Sequence, residues 1–226
     1  MDRALSLLAV FGAERRAVGL AELSRRSGLP RTTTLRLAGR LLAWGALERD
    51  AEGRYVVGLR LFEVASLAPR SHGLREVALP YLEDLHDVTR QHVLLAVRDG
   101  AEALLVERLS THGAVGIAYR VGGRMPLDDT GVGLVLLAHA GDDPEVAPVG
   151  RELAARLATI RGAGLVVFER RHPAPVTSVA APVRDAAGAV VAAASVVVPA
   201  DGTSPRAYEH VVAATARAIS RGLGAR

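Results

Sequence analysis

LAELSRRSGLPRTTTLRLAGRLLAWG, residues 20–45, is the stretch from which the rest of the chain can be read. Leu20 and Leu23 share one side of a short helix over residues 20–27, with Arg25 and Arg26 on the other. Gly28 supplies the left-handed backbone that ends such a helix, and Pro30 suits the start of the next. A longer helix is predicted from Arg31 to about Trp44. Thr34, Leu37, Ala38, Leu41 and Gly45 recur on its inward stripe. Arg31, Thr32, Thr33, Arg36 and Arg40 then lie on or beside the outward face. Leu35 fits either an exposed contact to a thymine methyl or a shifted core face. Two helices about a tight glycine turn, the second outwardly basic, is the layout of a helix-turn-helix, whose second helix enters the major groove. Arginine can pair with guanine, and threonine can donate to phosphate or touch a thymine methyl. The plainer alternative is a helical hairpin whose charged side faces water.

Outward from this stretch, the neighbours favour the first reading. Upstream, Ala4, Leu5, Leu7, Leu8 and Phe11 recur at helical spacing, predicting a helix over residues 2–11. Downstream, residues 46–49 and 54–57 are short strand candidates, and Asp50 to Gly53 carry turn chemistry between them. A hairpin directly after such a helix is a wing. Arg49 and Arg54 flank its tip and are expected to reach the sugar-phosphate backbone. Residues 59–67 read as a linker helix ending before Pro69. The expected organisation is a winged helix-turn-helix over residues 1–58, a linker helix over 59–73, and a second domain over 74–226.

Composition agrees with two domains. The chain has 226 residues, half of them apolar, too long for one winged helix and able to bury a sizeable core. All 28 basic residues are arginine. Residues 1–70 hold 12 arginines against 7 acidic residues, a difference of +5, and residues 71–226 hold 16 against 17, a difference of −1. The excess positive charge therefore sits in the first third, as expected of a DNA-contacting module. The absence of cysteine removes disulfides, thiolate catalysis and zinc-thiolate sites. No apolar run is long enough to span a membrane and no signal-peptide pattern opens the chain, so a cytoplasmic protein without membrane partners is expected.

Residues 74–226 alternate helix and strand signals. Helices are predicted over 74–89, 130–140, 151–160 and 205–223. Strands are predicted over 92–98, 103–109, 116–119, 165–168, 176–183 and 189–198, the last two joined by a hairpin near Asp185 to Gly188. Consecutive hairpins flanked by helices suggest an α+β sensor domain, and not a doubly wound nucleotide-binding sheet. Strand alternation puts Val176, Ser178 and Ala180 on one face, with Ala193, Ser195 and Val197 on one face of the next strand. Ser178 and Ser195 are thus hydroxyls inside apolar strands, and each needs a hydrogen-bond partner if buried. Gly131 and Val132 begin a helix, where backbone N–H groups can bind a carboxylate.

Signals for chemistry are weak. The seven histidines, among them His92, form no paired metal-ligand spacing. Gly131-Val132-Gly133 lacks the lysine and hydroxyl residue of a phosphate loop. His92, Asp84 and Ser110 can be drawn as a triad, but no nucleophile-turn signature accompanies them. Neither an enzyme nor a cofactor is expected. Aromatic residues make up only 4% of the chain, which argues against base-stacking RNA modules.

The series of motifs resembles the IclR family of bacterial transcriptional regulators. It comprises Leu20-Ala21-Glu22-Leu23-Ser24, Gly28 to Thr34, Arg36-Leu37, Gly53-Arg54-Tyr55-Val56-Val57-Gly58, Gly123-Arg124-Met125-Pro126-Leu127, Ser178 to Asp185 and Val190 to Val197, in order and nearly end to end. The resemblance implies a two-domain chain, a mainly-α winged helix-turn-helix plus an α+β GAF-like effector-binding domain. It also implies a homodimer or homotetramer on a pseudo-palindromic double-stranded DNA operator. Arg31, Thr32, Thr33 and Arg36 would read DNA. The strands bearing Val176, Ser178, Ser195 and Val197 would line the effector pocket with Ala114, Ile117, Met125, Gly131, Val132 and Phe168. This chain departs from the family at Thr34, usually aliphatic, and at Leu35, often polar or aromatic. Asp128 and Asp129 stand where a histidine and a small residue are common, Phe168 where an acid can occur, and Ser178 where cysteine is frequent. Such a lining fits a larger, more apolar or neutral effector better than a very small acid. The implied function is a regulator, repressor or activator, whose operator affinity responds to a small molecule. A small-molecule-transforming enzyme with an accessory DNA-binding domain is the alternative, and a dimerisation module with a vestigial pocket a third reading.

Overall fold

A computed structural model of the chain describes residues 2–12, 14–68, 73–111, 115–117, 119–141, 143, 148–171, 175–200 and 204–225. The chain divides into two compact units, Met1–Ala68 and Pro69–Arg226.

In the first unit, helices α1 (Asp2–Leu8), α2 (Leu20–Ser27) and α3 (Arg31–Trp44) surround a small core of Leu7, Val10, Val18, Leu23, Leu37, Ala38, Leu47 and Tyr55. Gly28 ends α2 at φ 69° and Gly45 ends α3 at φ 85°, left-handed conformations that a side chain would strain. The α2–α3 turn is tied by Ser24 Oγ donating to the Leu29 carbonyl at 2.7 Å. The strands are β1 (Ala17–Val18), β2 (Leu47–Arg49) and β3 (Tyr55–Val57), in the antiparallel order β1-β3-β2. Helix α4 (Leu59–Ala65) closes the unit.

Two expectations change here. The first helix stops at Leu8, short of Phe11, because Val10 and Phe11 donate to Leu7 and Leu8 in tighter, three-residue bonds. Phe11 still packs on the core from that turn, so the apolar spacing ran past the helix end. Strand β1 was absent from the sequence reading. Its two residues, paired as Ala17 with Val56 and Val18 with Tyr55, are too few to show alternation.

The second unit is built on one six-stranded antiparallel sheet. Its strands are β4 (His92–Asp99), β5 (Glu102–Leu109), β6 (Arg124–Pro126), β7 (Val166–Arg170), β8 (Val176–Arg184) and β9 (Val190–Pro199), in the order β6-β5-β4-β9-β8-β7. Helices α5 (Leu74–Thr89), α6 (Gly131–Ala138), α7 (Arg151–Ala163) and α8 (Arg206–Gly222) cover its faces. Alternation along the strands sorts the apolar residues into two cores. Leu94, Ala96, Ala180, Ala193 and Val197 pack with α6 and α7. Val93, Leu95, Val179, Ala181, Ala194 and Val196 pack with Ala78 and Leu82 of α5 and with Val212 and Ile219 of α8. Every residue of α6 is buried, which explains why it is apolar all round.

The strand expected over residues 116–119 is not formed: Gly116, Ile117 and Tyr119 belong to no strand. Besides β4, strand β5 pairs with β6, where Ala103 faces Met125 and Glu102 faces Pro126. Proline is tolerated there because β6 is the edge strand.

Candidate functional site

The outward face of α3 presents Arg31, Thr32, Leu35, Arg36 and Arg40 exposed, with Thr33 half-buried. Leu35 is 51% exposed, which decides between its two readings in favour of the outward one. Thr34 is fully buried, and its hydroxyl donates to the Pro30 carbonyl at 3.1 Å, so the polar substitution of an aliphatic site is satisfied within the helix. No acidic side chain among the described residues pairs with Arg31, Arg36 or Arg40. Three exposed cations without acidic partners along one helix can be given over to phosphates and base edges without breaking internal pairs.

The wing differs. Arg49 lies 4.5 Å over the Tyr55 ring and donates to the Tyr55 hydroxyl at 3.0 Å. Arg54 pairs with Asp50 at 2.7 Å and Glu52 at 2.9 Å, and its hydrogen bond to Asp50 raises its pKa above the ordinary value. Both arginines stand where the sequence places them. Asp50 and Glu52, however, offset the charge of Arg54, which the sequence reading of the tip left out.

In the second unit, one small cavity of about 30 Å³ gathers nine of the expected effector residues: Ile117, Met125, Gly131, Val132, Phe168, Val176, Ser178, Ser195 and Val197. Ala114 lies outside the described residues. Strand register explains the gathering. Ser178 pairs with Phe168 on one side and Val197 on the other, and Ser195 pairs with Ala180 and Leu94. Gly131 is required where α6 meets β8, because a Cβ there would collide with Ser178 Oγ. Thr130 caps α6, accepting from the Gly133 N–H at 3.0 Å and donating to the Pro126 carbonyl at 2.9 Å.

Four lining residues escaped the sequence reading: Leu94, Tyr119, Thr130 and Arg170. Arg170 changes the chemistry, because it puts a cation at an otherwise apolar wall. One of its Nη atoms donates to the Tyr119 hydroxyl at 2.7 Å, and its guanidinium lies 5.2 Å over the Tyr119 ring. The signal was present: Arg170 follows Phe168 by two residues, hence shares its face of the strand. Asp129 is exposed at the rim, whereas Asp128 does not line this cavity.

Residues 1–51 match the IclR helix-turn-helix domain, and residues 67–148 and 149–221 match the bacterial transcriptional regulator IclR C-terminal domain. The chain belongs to the IclR family. An IclR homolog from Microbacterium hydrocarbonoxydans, solved in complex with 4-hydroxybenzoate, is 34% identical with a TM-score of 0.90, over 98% of this chain and 97% of that one. The regulator XynR of Escherichia coli is 28% identical over 86% of this chain and 84% of its own length. KipR of Bacillus subtilis is 33% identical, but the match spans 55% of this chain and only 50% of KipR. The winged helix-turn-helix and the α+β, GAF-like domain are therefore those of an IclR-family, DNA-binding transcriptional regulator. No described helix is long and apolar enough to cross a membrane.

The triad drawn on paper does not assemble in this IclR-family chain. Ser110 Oγ accepts from Arg108 Nε at 2.8 Å and meets His92 Nδ1 at 2.9 Å, while His92 Nε2 is bound to the Val115 carbonyl at 2.5 Å. The network assigns the proton to Nε2 and leaves Nδ1 as acceptor. Both ring nitrogens are thus engaged, without Asp84. Burial holds the His92 pKa below its ordinary value, keeping the ring neutral. His72, His112 and His172 lie outside the described residues.

Proposed function

We propose that this regulator binds a pseudo-palindromic operator as a homodimer or homotetramer in the cytoplasm, and that a small molecule in the cavity of its second unit adjusts that binding. In this reading the DNA-reading set is Arg31, Thr32, Thr33, Leu35, Arg36 and Arg40, with Arg49 and Arg54 of the wing at the backbone. A dimer would set two copies of α3 in successive major grooves, roughly 34–36 Å apart for adjacent half-sites. The effector acts only through its difference in affinity for DNA-competent and incompetent arrangements, worth about 1–3 kcal/mol in typical coupled systems. Helix α4, which precedes the unit boundary, is the segment through which the two would communicate.

One observation carries the effector half of this reading: a mainly apolar cavity, lined largely by the predicted residues, whose wall holds buried polar atoms without partners. The relative solved with 4-hydroxybenzoate supports an effector with a flat aromatic body. The named relatives are regulators, which supports a non-enzymatic role.

Footprinting the full-length protein on DNA upstream of its own gene tests the proposal. A protected inverted repeat whose occupancy changes when small aromatic metabolites are added is the expected result. Failure to retain any such DNA at modest salt overturns the operator reading. Protection indifferent to every small molecule offered overturns the effector reading.

A further inference from the structure

Two buried side-chain nitrogen or oxygen atoms among the described residues lack a hydrogen-bond partner, Arg170 Nε and Ser195 Oγ, and both residues line the same cavity. A native fold leaves few such atoms, and an unmade bond on a charged group is costlier than on a neutral one. We propose that Arg170, held by Tyr119, pairs with an anionic group of the effector while Ser195 binds a polar group at the other end, so that the cavity takes a flat, two-ended carboxylate. This assignment rests on the effector reading above and specifies its chemistry.

The guanidinium is oriented for the task. Nη1 is committed to the Tyr119 hydroxyl. What remains is the edge made by Nε and Nη2, the side-on fork that a carboxylate fits with two parallel bonds. Stacking over the Tyr119 ring fixes the plane of that fork. Ser195 is fully buried on β9.

Register sets the separation of the two ends. Arg170 pairs with Val176, which pairs with Pro199; Ser195 pairs with Ala180, which pairs with Val166. The two rows lie four residues apart along the strands and Arg170 lies two strands from Ser195. That places the Cα atoms on the order of 16 Å apart, from about 3.3 Å per residue and 4.8 Å per strand. A side chain as long as arginine can span part of this gap, and the body of the ligand would span the rest. Phe168, Val176 and Val197 wall the space between, which calls for a flat apolar body. Asp129 at the rim opposes a second negative charge and so favours a monoanion.

Titration calorimetry on the full-length protein with 4-hydroxybenzoate, benzoate and 4-hydroxybenzamide tests the assignment. The parent protein is expected to bind 4-hydroxybenzoate about tenfold or more tightly than the amide. Arg170→Met should remove that preference by weakening the acid while leaving the amide within about twofold, and Arg170→Lys should recover part of it. Ser195→Ala should weaken 4-hydroxybenzoate but not benzoate. Equal binding of acid and amide by the parent, or full acid affinity in Arg170→Met, overturns the charge assignment while the cavity remains an effector site. If the parent binds none of the three at millimolar concentration, the assignment also falls, and operator response to other small molecules decides the effector reading separately.

Discussion

The outer face of α3 and the cavity of the second unit handle polar groups in opposite ways. On α3 the cations Arg31, Arg36 and Arg40 stand in solvent, and the one buried polar residue of the helix, Thr34, is satisfied by the Pro30 carbonyl. In the cavity the walls are mostly apolar, and Arg170 Nε and Ser195 Oγ are buried atoms left without partners. A duplex brings its own solvated charge along an extended surface, so the protein needs hydrated, adaptable cations and pays little for holding them in water. A small molecule offers few contacts, so each must be buried, aimed beforehand and unsatisfied until the ligand arrives. The wing lies between these extremes: it is exposed like α3, yet Arg54 already has partners in Asp50 and Glu52.

Breaking the frame of the first unit should have the largest effect. A Cβ on Gly58 would run into the Gly45 carbonyl, so Gly58→Val should destabilise that unit by about 3 kcal/mol, as overpacking against backbone does. Operator binding would be lost while calorimetric effector binding survives; unchanged melting and DNA retention would refute the close approach. Ser195→Leu sharpens the contrast from the other side. It should abolish the effector's influence on a gel-shift titration and leave apo-protein affinity for DNA intact.

Next in size, Arg36→Ala should weaken operator binding about tenfold or more and lower the log–log salt slope by about 1, with the melting temperature unmoved. Unchanged affinity would remove Arg36 from the reading set. Glu52→Gln should act in the opposite direction, tightening binding modestly by removing one of the two acids that offset Arg54; no change would mean that the wing tip stays off the backbone.

The smallest effect concerns pH. The folded pKa of His92 lies below the unfolded value of 6.5, so the unfolded chain takes up the proton first. Its contribution to stability is complete above pH 6.5 and declines as pH falls toward the folded value. His92→Gln should therefore flatten the loss of melting temperature between about pH 7 and 5. An acid-induced loss of the same size in parent and variant would show that other groups carry it.

The helix-turn-helix was legible because its signals are local: Gly28, Pro30 and the stripe from Thr34 to Leu41 lie within one stretch of chain. Strands β8 and β9 were legible for a similar reason, since nine and ten residues give alternation room to show. Strands β1 and β6, of two and three residues, gave no such pattern. The failed strand over residues 116–119 shows the same limit, a short apolar run with no partner written into it. At the cavity, alternation assigned Ser178 and Ser195 to the correct faces but said nothing about which atoms find partners.

Periodicity, turn residues and the clustering of arginine in the first third were enough to specify two units, a basic recognition helix and a sheet with one polar-flecked inner face. These properties depend on neighbours a few positions apart, and covalent spacing guarantees them. The pairing of Arg54 with Asp50 and Glu52, the seating of Arg170 against Tyr119 across 51 residues, and the two unsatisfied atoms in one cavity follow from packing. Hydrogen-bond satisfaction is a property of enclosed space, and only the folded chain encloses any.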